Sequence, residues 1–105
     1  MHLYLRLTGQ LDGVAKKIEE LALRGWSSQL REGLNLGGGE YYKFEHSGAE
    51  VLLVRNDEDH AEVFIEERKE FPFYLYARKG GDLALEQIKV SLVANNVICE
   101  LHEDT

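Results

Sequence analysis

The first residues alternate strictly. In "HLYLRLTG", Leu3, Leu5 and Leu7 take turns with His2, Tyr4 and Arg6, the period of a strand buried on one side. The period then changes. Val14, Ile18, Leu21 and Ala22 recur at helical spacing behind Asp12, a residue suited to cap a helix, and Gly25 is suited to end it in a left-handed turn. Trp26 packs at the helix end in this reading, and Ser27 to Glu32 form a short strand. The last third follows the same plan. A strand at Phe73 to Ala77 leads to an Asp82 cap, a helix with Leu85, Ile88 and Leu92 inward, a stop at Asn95 and a strand at Val97 to His102. A constant shift of about 70 positions relates the two units, matching Tyr4 to Tyr74, Leu5 to Leu75, Asp12 to Asp82, Ile18 to Ile88 and Gly25 to Asn95. Both residues of the last pair tolerate a left-handed backbone.

Between the units the helical period is missing. "EYYKFEH", "AEVLLVR" and "AEVFIEE" are short strand-like runs separated by "SG" and "NDEDH", which are turn chemistry. Connections this short require antiparallel neighbours. The pattern predicts a two-layer α+β fold with a mostly antiparallel sheet, ordered β-α-β, three-stranded meander, β-α-β. Helices near residues 12–24 and 82–94 cover one face and leave the other open.

Length and composition narrow this further. A chain of 105 residues with 44% hydrophobic positions and a single proline fits one domain, residues 1–105, with one buried core. Arg6 interrupts the apolar positions at the start, so the N-terminus matches neither a secretory signal nor a membrane span. A cytoplasmic location without membrane association is expected, and the lone Cys99 agrees with a reducing compartment. The formal charge of −7 is uneven: residues 40–70 hold ten acidic side chains against four basic ones. Direct nucleic-acid binding there is disfavoured and a basic partner favoured, although an acidic balance also serves solubility alone.

Motifs for small-molecule chemistry are weak. The glycines of "NLGGGEYY" precede an acid and a strand rather than a helix and a Lys-Ser pair, so they read as a hinge bringing Tyr41 and Tyr42 to the sheet margin, not as a phosphate cradle. "NDEDHAEVFIEE" lacks the glycine and fifth-position ligand of a calcium loop, and Cys99 and His102 fall on opposite faces of a strand. No nucleophile elbow and no Cys–base pairing is present. The expectation is therefore a non-enzymatic protein with no cofactor and no metal. What stands out is aromatic residues interleaved with acids. Candidate partner-binding residues are Glu40, Tyr41, Tyr42, Asp57, Glu58, Asp59, Glu62, Glu66 and Glu67, with tyrosines as desolvated anchors and carboxylates steering a cationic partner. Strand packing explains the tyrosines equally, and a solvated turn explains Asp57 to Asp59. With period two, Tyr42 and Phe44 share one face while Tyr41, Lys43 and Glu45 share the other.

The stretches "GGGEYYKF", "VLLVRND", "EVFIEE" and "FPFYLYA", residues 37–77, resemble immunity proteins of bacterial polymorphic-toxin and contact-dependent growth inhibition systems. The resemblance implies a single-domain antitoxin that binds a cognate toxin, commonly a basic nuclease, and blocks its active site or substrate path. The expected state is a monomer or, through exposed sheet edges, a weak homodimer. Two other readings stay open: a phage-type inhibitor mimicking nucleic acid, and a small-molecule-binding or catalytic α+β domain on the open sheet face.

Overall fold

The computed structural model describes residues 1–33, 39–57 and 66–103. Its elements are β1 His2–Leu5, α1 Leu11–Ala22, β2 Ser27–Glu32, β3 Glu40–His46, β4 Ala49–Arg55, β5 Phe73–Arg78, α2 Gly81–Ala94 and β6 Cys99–His102. The fold is the expected two-layer α+β arrangement. Six strands form one sheet in the order β2-β3-β4-β5-β1-β6, with antiparallel pairing throughout. The meander runs from β2 to β5. Of the third run proposed for it, "AEVFIEE", residues 61–65 lie outside the described residues, and Glu66–Arg68 form a single 3-10 turn instead of a strand.

Local chemistry accounts for the turns. His46 pairs with Ala49, so β3 and β4 are joined by Ser47 and Gly48 alone, both with positive φ (49° and 84°). Two such residues follow the strands' own twist. Neither Asp12 nor Asp82 caps its helix. The helices begin after Gln10 and after left-handed Gly80, leaving each aspartate in the first turn, where its charge still meets the positive helix end. Gly25 takes the left-handed conformation expected of it (φ 85°), and in the second unit that role falls to Asn96 (φ 63°), one residue past the helix cap Asn95.

The main core lies between the helices and one sheet face. Leu3, Leu5, Phe44, Val51, Leu53, Phe73 and Leu75 from the strands pack with Val14, Ile18, Leu85, Ile88 and Leu92 from the helices. The opposite face is not open. Tyr4, Leu52, Val54 and Tyr74 are almost completely buried there and form a second apolar cluster with Phe71. The amide of Asn56 ties the end of β4 to the segment before β5, donating to the carbonyls of Arg68 (2.9 Å) and Phe71 (2.8 Å). β1 is therefore buried on both sides, because it sits between β5 and β6 and beneath Phe71.

Candidate functional site

Strand parity decides where the aromatic and acidic residues go. Phe44 points into the main core and Tyr42 packs on it, while Tyr41 packs against the second cluster on the other face. The two adjacent tyrosines thus serve opposite faces, and no single surface receives both. Glu40, the first residue of β3, is exposed and opposite Glu32 on β2. The Arg55 guanidinium donates to its carbonyl oxygen (3.3 Å), so Glu40 and Tyr41 sit at the sheet end where β4 leaves through Asn56 and Asp57. Asn56 also holds the turn carrying Glu66 and Glu67, through the Arg68 carbonyl. Glu58, Asp59 and Glu62 lie outside the described residues.

Internal pairing separates these acids into two groups. Glu66 is held by Lys69 (3.1 Å), Glu70 by Arg6 (3.7 Å), Glu100 by Arg68 (2.9 Å) and Glu45 by Lys43 (3.2 Å). Glu40 and Glu67 have no ion pair among the described residues. Exposed pairs such as Glu66–Lys69 contribute little energy, yet they cancel the local field that a partner would feel.

A charged cluster that the sequence reading did not single out lies on the helix-free face. Glu50 is only 3% exposed, and its carboxylate meets Lys43 (3.1 Å) and Lys79 (3.0 Å). Burial alone pushes its pKa up, but the hydrogen bonds and charges of Lys79 and Lys43 outweigh it and hold the carboxyl below its ordinary value. Lys43 is raised by its hydrogen bonds to Glu50 and then Glu45, against opposing desolvation. Both groups stay charged at neutral pH, so the cluster is poorly matched to proton transfer and acts as a fastening. One signal was available: in "AEVLLVR", Glu50 shares its parity with Leu52 and Val54, so a sheet covered on both faces buries it too.

The remaining candidates for chemistry are modest. Cys99 sits on the helix side against the main core and His102 beside Tyr4 on the other side, as their spacing predicts. Burial raises the Cys99 thiol above its ordinary value despite the nearby Lys89 charge, which disfavours a reactive thiolate. Among the described residues no three His, Cys, Asp or Glu side chains converge to hold a metal. A cavity of about 240 Å³ lies at the start of α1, lined by Leu11, Asp12, Leu30, Glu40, Tyr42 and Arg55. That volume is below the usual range for drug-sized ligands.

No helix among the described residues is long and apolar enough to cross a membrane. Set against known proteins, the chain matches no family model, and no curated protein or solved structure shows significant similarity to it.

Proposed function

We propose that this chain is a non-enzymatic inhibitor of the immunity type, which neutralises a cognate basic toxin in the cytoplasm by direct protein contact. The observation that carries this reading is a set of exposed carboxylates with no ion pair among the described residues, Glu40 with Glu32 opposite it on β2, and Glu67, on a chain of net charge −7. Unpaired exposed carboxylates steer and orient a cationic partner without first having to break an internal pair. Half-buried Tyr41, next to Glu40, supplies aromatic area at low entropic cost.

The test begins with affinity capture from the native cell, followed by reconstitution with the purified captured protein. The expected partner is basic, its activity is suppressed on binding, and association slows as salt rises. Reversing both carboxylates (Glu40→Lys with Glu67→Lys) slows association by about tenfold while leaving the melting temperature in place. A partner bound equally well by the reversed variant, or at any salt concentration, would remove the electrostatic basis of the proposal. The cavity beside Leu30 supports a second reading, a small-molecule-binding domain. A melting shift across a metabolite panel, abolished by Tyr42→Ala, is its expected signature.

A further inference from the structure

The sheet has two edges. At β6 the four residues Cys99–His102 are all half-buried. At β2 all six residues, Ser27–Glu32, are exposed, and Leu30 keeps 52% of its surface in water. Among the described residues β2 pairs with β3 alone, so the outward backbone N–H and C=O groups of its free rim face solvent. Long edges of this kind are ordinarily blunted by lysine, proline or a bulge. β2 has no lysine and no proline, its two charged side chains, Arg31 and Glu32, are of opposite sign, and its pairing with β3 is continuous from Ser27 to Glu32, without a bulge.

We propose that β2 is the interface of a two-fold homodimer, in which the strands of two copies pair antiparallel with Leu30 on the axis and the two sheets join into one. The argument is the complementarity of the strand with itself. Residues directly opposite in an antiparallel pair point to the same face, which limits the symmetric registers to those centred on one residue. Centring on Arg31 sets two guanidinium groups against each other, which is destabilising. Centring on Gln29 leaves Leu30 opposite Ser28 of the copy and Glu32 opposite Trp26. Centring on Leu30 sets Leu30 against Leu30, Gln29 against Arg31 and Ser28 against Glu32, so no like charges meet.

The Gln29–Arg31 match already has a counterpart within one strand. The Arg31 guanidinium donates to the Gln29 side-chain carbonyl at 2.8 and 3.1 Å, a bond that can be exchanged across the axis without new desolvation. The joined strands exchange about four to six backbone hydrogen bonds. They also remove Leu30, which lines the cavity together with Leu11 and Tyr42, from water. A contact one strand long lies below the standard interface size, which sets the dimer's Kd at about 10 μM to 1 mM.

Sedimentation velocity on the full chain over that concentration range tests the proposal. The wild type shifts reversibly from monomer to dimer, and Leu30→Lys, which puts two ammonium groups on the axis, weakens association at least about tenfold. Val90→Lys, on the exposed side of α2, leaves it unchanged. A trapping experiment in a Cys99→Ser background covers the case in which a weak dimer escapes detection. Leu30→Cys cross-links under mild oxidation much faster than Val90→Cys, because residues opposed across an antiparallel pair lie within disulfide reach. Equal cross-linking rates, whether or not sedimentation detects a dimer, or a dimer dissolved by Val90→Lys and not by Leu30→Lys would each overturn the assignment.

Discussion

The unit β1-α1-β2 and the unit β5-α2-β6 share one plan and end in different places. β6 returns to lie one strand away from β5, with only β1 between them, whereas β2 lands at the far edge, separated from β1 by β5, β4 and β3. The helices differ in the same sense. α1 buries Leu11, Val14, Ala15 and Ile18 and turns Lys16, Lys17 and Glu20 to water. α2 buries Leu85, Ile88 and Leu92, yet Leu83, Val90 and Val93 on its outer side are 66%, 70% and 53% exposed. A shared spacing of caps and core positions thus specifies the elements of a unit, while the distance its last strand travels is set by which neighbours are already paired. Strand placement cost follows from this: the unit that closes locally has a half-buried last strand, and the unit that reaches across the sheet leaves its last strand exposed.

The largest expected effects test whether both helices belong equally to the core. Ile18 and Leu85 are each completely buried in the same cluster. Ile18→Ala and Leu85→Ala should each lower unfolding free energy by about 2–5 kcal/mol in denaturant titrations. A much smaller loss for Leu85 would show α2 to be peripheral, and the parallel between the units would fail.

Next in size is the fastening of the second unit to β4. Glu50→Gln removes the charged acceptor of Lys79, in the β5-α2 turn, and of Lys43, at a cost of about 1.5–3 kcal/mol. Its pH signature follows from the shifts. Glu50, depressed below 4.5, contributes stability that is fully present above that value and is lost as pH falls through its lower folded-state pKa. Lys43, raised above 10.5, contributes stability that is present below that value and is lost as pH rises through its folded-state pKa. Glu50→Gln should therefore flatten the acid limb of a melting-temperature profile, and an unchanged acid limb would exclude Glu50 as its source.

Two glycines sharpen the comparison further, with opposite signs. A Cβ on Gly81 would meet the Glu50 carbonyl oxygen at 2.5 Å, where α2 starts against the β4 backbone. Gly81→Ala should cost about 1–3 kcal/mol although alanine favours helices. Gly13, in the first turn of α1, has nothing within 4 Å of such a Cβ, so Gly13→Ala should stabilise by about 0.5–1 kcal/mol. The smallest effect is expected on the outer side of α2, where Val90→Ser should change stability by no more than about 0.5 kcal/mol. Together the three variants separate close packing of a helix end from its intrinsic propensity.

The candidate site was less legible than the fold. Parity placed Tyr42 with Phe44 and Tyr41 with Lys43 and Glu45, as found. That same parity prevents Tyr41 and Tyr42 from anchoring one partner together. The sequence pattern leaves Glu66 available, yet it is paired with Lys69, because the residues around it form a 3-10 turn that brings positions three apart together. Alternation puts Tyr4 on the polar side of its strand, yet it is completely buried. Its neighbour Phe71 lies 67 positions later in the chain, beyond the reach of any periodicity argument.

By itself the sequence determined the order of the six strands and two helices, the main core and the Ser47–Gly48 hairpin, because these depend on side-chain period and on the backbone preferences of a few turn residues. Only the tertiary structure decided that β2 would be the exposed edge, that the second face would be covered and that Glu50 would be buried between two lysines. Those outcomes depend on which strands become neighbours, and strand neighbours are chosen by the competition of the whole chain for a shared core.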